Sequence, residues 1–353
     1  MKTDHADTDI NADVFDPAPG ASTADHLRRR ELLLGSMGLA LGTTALHAQA
    51  ETADQYPSRP VRILLSNAAG TAPDVAARVL AERYQQLTGK PFVVDNRPGA
   101  GGAICAEAVA GAPPDGYTLL LGTMAEIALT PHLYKSLRYD VSRDFAPISE
   151  VGSADLLLVV NPAIAPSDSF ASYVEWARAR QPLLIGTFGV GTPAHLAAAQ
   201  MGDAAGIKVE PVHYRAAGDG ITGISSGDIQ GIFVSVALAL PFIRTGKLKA
   251  LVVTAPTRSP VLPDVPTARE VGMSHMEATY WFGMFASSKT PAPILDKLSE
   301  LTMAVVKMPD ARKKLEEVGF RTTGTSRQDF AKMLAGDLPR WGDEVRRYGM
   351  RAD

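Results

Sequence analysis

The sequence predicts an α/β fold with mostly parallel sheets. Short aliphatic runs alternate with amphipathic segments of about ten residues, the order that strand–helix–strand units require. Several of these runs lead through loops of small residues straight into helix-like stretches. At 353 residues the chain is long enough for two domains of ordinary size.

Val61–Leu65 reads as a buried strand, and Ser66–Ala72 as a small-residue loop. Thr71 with Asp74 three residues on resembles a capping box, with Pro73 tolerated in the first turn. The helix should bury Val75, Val79, Leu80 and Leu87 and end at Gly89. Pro91–Val94 is a second strand, and Asn96-Arg97-Pro98-Gly99 a turn. A loop and helix N-terminus at the carboxyl end of a strand suit a small anion, because unpaired N–H groups and the helix dipole point there. A helix follows to about Ala110, then a strand over Tyr117–Leu121 and a loop over Gly122–Glu126. His132–Leu137 reads as helical and Leu156–Val160 as a central strand.

The pattern then repeats. Asp168 is placed to cap a helix that carries Phe170, Val174 and Ala177 on one face. Leu183–Thr187 is a strand, Phe188–Gly191 a loop, and Thr192-Pro193 a helix start. Strands are expected at Val209–Tyr214, Ile229–Ser235 and Lys249–Thr254, with short helices from Arg215–Asp219 and over Leu238–Arg244. Thr279–Ala286 is an aromatic strand. From Pro291 the chain is helical, including Arg312–Val318 and Asp329–Tyr348, with Pro339 expected to kink or split the last helix.

The net charge of −3 provides no basic footprint, so nucleic acid is not the expected partner. The single cysteine, Cys105, allows no internal disulfide and reads as a buried inert thiol. No Cys/His group has metal-ligand spacing, and neither metal nor cofactor is expected. Residues 1–50 read as a disordered acidic leader plus an export signal. Arg28-Arg29-Arg30 precede a glycine-softened apolar run, Leu32–Leu46, and Ala48-Gln49-Ala50 offers a cleavage site, as in twin-arginine export. That run is short of the ~20 residues a spanning anchor needs. The leader is long for a signal; a downstream start and a tolerated leader both remain open. The exported chain would begin near Glu51 and be periplasmic.

Tyr-Pro-x-Arg-Pro-Val-Arg from Tyr56, the loop to Asp74 and Asn96-Arg97-Pro98-Gly99-Ala100-Gly101-Gly102 together resemble one receptor family. So do Pro114-Asp115-Gly116-Tyr117, Asp144-Phe145-Ala146-Pro147, Gly246-Lys247-Leu248-Lys249 and Leu262-Pro263-Asp264-Val265-Pro266-Thr267. The family is that of the periplasmic receptors of tripartite tricarboxylate transporters, also called Bug receptors, and the resemblance runs from Tyr56 to the C-terminus. It implies a two-lobed Venus flytrap, type II-like, with two crossings. Lobe one would be residues 56–158 and 283–353, and lobe two 159–282, crossed at Leu156–Val160 and Tyr280–Ala286. It further implies a monomer that binds a small carboxylate and hands it to a large and a small membrane subunit. A receptor that signals to a membrane sensor kinase shares the same signature and stays open.

Carried onto this sequence, the resemblance nominates Ser66, Asn67, Ala68, Gly70, Thr71 and Asp74, with Thr123, Met124, Ala125 and Glu126, as the lobe-one carboxylate cradle. On lobe two it nominates Gly189, Thr192, His195, Ala216, Gly218, Asp219 and Ser235. The first loop is poorer in proline and glycine than the family's. Glu126 is the larger departure. Facing the pocket, it would repel a second anionic group and favour a ligand with an amine, amide or ring nitrogen; the alternative is that it faces solvent. His195 is a ligand contact or a local cap, and Arg215 an anion partner or an exposed loop residue. Trp281 and Phe282 read as core or hinge rather than a stacking platform.

Two enzyme patterns are present. Gly189-Val190-Gly191-Thr192-Pro193-Ala194 fits a dinucleotide fingerprint, with Glu210 further on, but it lies mid-chain and opens a short helix. Gly223-Ile224-Ser225-Ser226-Gly227 fits a nucleophile elbow, but the expected order is helix then strand, the reverse of what an elbow needs. The expectation is a binding protein, not an enzyme.

Overall fold

The computed structural model describes residues 52–352, apart from 68, 70, 277–279 and 318. The leader and export signal therefore lie outside the described residues, as do Ala68 and Gly70 of the first loop, Thr279 and Val318. No described helix is long and apolar enough to cross a membrane.

The first sheet has six strands in the order β11-β4-β10-β3-β1-β2. They are β1 (Val61–Leu65), β2 (Phe92–Asn96), β3 (Thr118–Thr123), β4 (Phe145–Ala154), β10 (Tyr280–Ser287) and β11 (Phe320–Thr322). The second has five in the order β7-β6-β8-β5-β9, namely β5 (Leu156–Val160), β6 (Leu183–Thr187), β7 (Val209–His213), β8 (Gly231–Ser235) and β9 (Lys249–Val253). Each sheet has one parallel trio, with β1 between β2 and β3, and β6 between β7 and β8. The other pairings are antiparallel, so the sheets are mixed rather than mostly parallel. Strands joined by helical crossovers run parallel, while β4, β5, β9, β10 and β11, which carry the chain into and out of each sheet, run against their neighbours.

Helices cover both faces of both sheets. On the first, α1 (Ala72–Thr88), α9 (Ala292–Lys307) and α10 (Pro309–Glu317) bury Leu80, Tyr84, Ile294, Leu298 and Leu315 against Ile63, Leu119 and Ile148. On its other face lie α2 (Ala103–Ala110), α11 (Arg327–Arg347) and α3, which starts as a π-helix over Ala125–Leu129 and continues over Thr130–Leu133. The second sheet is covered by α5 (Phe170–Arg178) and α6 (Pro193–Ala205) on one side, and by α7 (Ala217–Ser226) and α8 (Val236–Arg244) on the other. A short helix, α4 (Val141–Asp144), precedes β4. Each such fully buried aliphatic or aromatic side chain contributes roughly 1.5–3 kcal/mol, which fixes the two three-layer bodies.

Local differences from the sequence reading have identifiable causes. β4 contains Pro147 and Gly152 and lacks a strand's composition, yet it is held by β10 on one side and β11 on the other. The cap of α5 is Ser169, in a reciprocal box with Ser172, while Asp168 pairs with Lys249. The helix expected to Leu137 stops at Leu133, where Tyr134 turns extended. α11 runs through Pro339 without dividing. Burial of Phe330, Leu334, Trp341 and Val345 outweighs the ~3 kcal/mol a helix-interior proline costs.

Candidate ligand-binding site

Both parallel trios end in helix N-termini at the carboxyl edge of their sheet. In the first, α1 follows β1 and α3 follows β3; in the second, α6, α7 and α8 follow β6, β7 and β8. Such edges present unpaired N–H groups to anions.

Ser66 and Asn67 leave β1 half-buried. Thr71 has the extended backbone of an N-cap, but its hydroxyl makes no capping hydrogen bond. Asp74 is 3% exposed, and its side chain turns to the end of β2. It accepts from Asn96 Nδ2 at 2.9 Å and Arg78 Nε at 3.0 Å, and the same Asn96 amide donates to the Asn67 carbonyl at 2.9 Å. Asp74 and Asn96 thus brace the loop.

β3 extends through Thr123 and α3 begins at once, so the loop expected over Gly122–Glu126 is replaced by a direct strand-to-helix junction. Glu126 is fully buried, which overturns the solvent-facing alternative. Its Oε1 accepts from the Thr123 N–H at 2.8 Å and from Ser66 Oγ at 3.3 Å, and its Oε2 from Thr123 Oγ1. Thr123-x-x-Glu126 is therefore a helix-start capping arrangement, with the acid folding back three residues. That spacing was readable in the sequence. Burial pushes the carboxyl up to about 7. Gly102 (φ +92°) lies directly on it, and a Cβ there would fall 2.7 Å from Glu126 Cβ. The Tyr139 hydroxyl donates to the Glu126 carbonyl at 2.6 Å. The Tyr280 hydroxyl lies beside the side chains of Thr123 and Asn67. Asn67 Oδ1 is buried with no hydrogen-bond partner. The first half-site thus joins Ser66, Asn67, Thr123, Glu126 and Tyr280, with Met124 buried behind it and Ala125 half-buried. Asn96, Gly102, Tyr139 and Tyr280 were not singled out from sequence, since their roles depend on contacts between distant segments.

On the second lobe, Thr192 caps α6, accepting from the His195 N–H at 3.3 Å and donating to the Gly189 carbonyl at 2.9 Å. His195 Nδ1 accepts from the Gly191 N–H at 3.1 Å. Its ring meets His213 edge to face at 5.0 Å, and His213 Nδ1 stands 2.5 Å from Thr187 Oγ1. Burial, with His213 adding to it, pushes His195 down to about 4, and burial also lowers His213. Ala216 is the cap residue of α7, with Gly218 and Asp219 in its first turn, all exposed; Arg215 is exposed beside them. Ser235 caps α8, accepting from the Leu238 N–H at 3.4 Å. The halves meet at Gly191, where a Cβ would fall 1.8 Å from Leu133 of α3, and Leu196 packs into the first lobe's cluster.

Trp281 and Phe282 are core: both are buried, and Trp281 Nε1 donates to Asp337 Oδ2 at 2.8 Å. Ser225 lies inside α7 with its hydroxyl on the Ile221 carbonyl, which leaves no elbow there. In the fingerprint-like stretch, the Gly191 N–H is given to His195 rather than left for a phosphate. A separate groove of about 850 Å³ runs between α5 and the Asp264–Met273 segment and touches neither half-site.

Two α/β/α lobes joined by two crossings, in contact where Gly191 ahead of α6 meets Leu133 at the end of α3, define a solute receptor of the periplasmic-binding-protein class. A solved periplasmic transporter protein superposes with a TM-score of 0.77 at 31% identity, covering 84% of this chain and 100% of its own. An R. palustris protein solved with adipate gives 0.77 at 29%, covering 84% and 99%. MatC of Rhodopseudomonas palustris with bound malate gives 0.74 at 27%, covering 82% and 100%. Protein BugT of Bordetella pertussis is 30% identical over 321 residues, 90% of this chain and 98% of BugT. The model of the tripartite tricarboxylate transporter family receptor matches residues 76–350, and the chain belongs to that family of periplasmic solute-binding receptors.

Proposed function

We propose that this receptor captures a small carboxylate between its lobes and delivers it to a large and a small membrane subunit. The lobes are the two sheets with their helices. They divide near Asp155, which joins β4 to β5, and again in the segment between β9 and β10. The observation that carries the reading is that helix N-termini follow the parallel strands of both sheets, with Gly191, just ahead of α6, seated on Leu133 of the other lobe. Adipate and malate in the similar proteins support a carboxylate as the ligand.

Ser66, Asn67, Thr71 and the Ala68–Gly70 stretch provide the first carboxylate cradle, with Thr123 and the start of α3 beside them. Met124 and Ala125 shape that junction from behind. Asp74 and Glu126 position this half rather than touch ligand, since their oxygens are taken up inside the protein. The expectation that Glu126 selects against a second anionic group loses its basis for the same reason. Gly189, Thr192, His195, Ala216, Gly218, Asp219 and Ser235 close from the second lobe. Closure is a population shift driven by a ligand that bridges both lobes, and no bond is made or broken. The chain acts as a monomer, exported on the twin-arginine-type signal and cleaved near Ala50.

A thermal-shift screen with mono-, di- and tricarboxylates, amino acids, nicotinate and NAD tests this. A bound carboxylate should raise stability by about 3 kcal/mol at a hundredfold excess over Kd. A response to NAD alone, or to no carboxylate, would overturn it.

A further inference from the structure

Helix α6 belongs to the second lobe but touches the first at both ends. Ala194, Ala197, Ala198, Met201 and Ala205 pack it on the second sheet, so it moves with that lobe. At its start, Gly191 and Leu196 meet the first lobe. Three turns on, about 16 Å from Thr192, a second set of contacts reaches the end of α11. Asp203 Oδ2 accepts from Arg347 Nη2 at 2.6 Å and from the Tyr348 hydroxyl at 3.3 Å. One turn earlier, Gln200 Nε2 donates to Glu344 Oε2 at 3.2 Å.

This second contact is built unlike a core. Gln200 is 1% exposed, yet its Oε1 has no hydrogen-bond partner. A cleft of about 390 Å³ opens beside Asp203, between Ala199, Gly202 and Lys208 of the second lobe and Arg347 and Tyr348 of the first. Lobes held together permanently would share a filled, apolar interface. Here the paired groups are amide, carboxylate and guanidinium, which water solvates well once the lobes part, so separation costs little. Arg347 is 58% and Asp203 46% exposed. An exposed pair of this kind is weak enough to break and re-form in each cycle of binding. The neighbouring acid, Asp343, is taken by Arg346, which leaves Arg347 to Asp203.

We propose that the Asp203–Arg347 and Gln200–Glu344 contacts form a latch between the lobes, away from the ligand, which sets how firmly the closed form is held and hence how slowly ligand leaves. Ligand engages the start of α6 and the latch its end, so one rigid helix carries both to the same closed state. The latch stands on these contacts alone; its effect on ligand release rests on the receptor reading above.

Spin labels on Glu175→Cys in α5 and Lys332→Cys in α11, both exposed and outside the contact, report the distance between lobes in the unliganded protein by pulsed electron paramagnetic resonance; Cys105 is buried and stays unlabelled. The labelled protein should populate a short, latched distance beside a longer one. Asp203→Lys sets like charges against each other at an exposed position and should lower the ratio of short to long at least about threefold. Adding Arg347→Glu restores opposite charge and should return the ratio. Stopped-flow binding of adipate and of malate should show release from Asp203→Lys faster by at least about threefold, with association within about twofold of wild type, and recovery in the double variant. A merely structural loss would not be rescued by exchanging the two charges. An unchanged ratio in Asp203→Lys, unchanged release of a bound acid, or a failure of the exchange to restore either would overturn the latch. If neither acid binds while the distances respond as stated, the latch stands and the carboxylate reading falls.

Discussion

Glu126 is an acid in the interior, and among the described residues it has no ion-pair partner. Its carboxyl is pushed up to about 7 from an ordinary 4.5, chiefly by desolvation, against hydrogen bonds from Thr123 and Ser66 that pull it down. The native state therefore binds this proton more tightly than the unfolded chain. The resulting stability is fully present below about 4.5 and is lost as pH rises through about 7, on the order of 3 kcal/mol at most. Denaturant unfolding at pH 5 and pH 8 should show the wild type weakening across that window and Glu126→Gln weakening much less. An unchanged slope in the variant would mean that the carboxyl titrates as it does in solvent. Glu150 is also pushed up to about 7, by burial and then by Asp337, so some slope should persist in the variant. From sequence, Glu126 was visible as an acid at a junction, but whether it faced ligand, solvent or core was not. The Thr123-x-x-Glu126 spacing was present as a cap signal but was not read as one, and the burial beneath Gly102 shows that the acid faces inward.

Elements were legible where their composition made them independent of context. β1, α1, β5, β6 and α6 were expected within a few residues of where they lie, because aliphatic runs, cap residues and terminal glycines are local signals. β4 and β11 were not, because the pairing of β4 with β10, and of β11 with β4, supplies what their composition lacks. The start of α6 combines a local signal with a distant contact. Thr192→Ala should cost about 1 kcal/mol through the lost cap, with ligand affinity falling as the loop loosens. Gly191→Ala is a sharper test of lobe approach. The residue has φ +70°, and an added Cβ would overlap Leu133. Far-ultraviolet circular dichroism should show both lobes folded, while calorimetry with a bound carboxylate should show affinity reduced about tenfold or more. Wild-type affinity in Gly191→Ala would mean that the Gly191–Leu133 approach is not part of the liganded state.

At the scale of the molecule, periodicity identified the strand runs but could not assign them to sheets. Leu156–Val160 was expected as a crossing, yet all of β5 pairs within the second sheet and all of β10 within the first. The chain changes sheet at Asp155, and Arg321 holds that point. From β11 its Nε donates to Asp155 Oδ2 at 2.6 Å, and its other nitrogens donate to the hydroxyl and carbonyl of Thr257, at 2.6 and 2.9 Å, on the returning segment. One guanidinium thus ties the first sheet to both connections. Asp155 is 4% exposed, and its other oxygen has no hydrogen-bond partner, so its charge depends on this arginine. Arg321→Ala should leave a buried carboxylate unpaired, at a cost of about 3–5 kcal/mol. Adding Asp155→Asn removes that charge and should recover much of the stability. The tie to Thr257 stays broken in the double variant, so the lobes should still sample a wider range of orientations. Small-angle scattering of the unliganded double variant should then give a larger radius of gyration than wild type, with ligand restoring a compact form. If the double variant recovers stability and scatters as wild type does, Arg321 neutralises Asp155 without restraining the lobes.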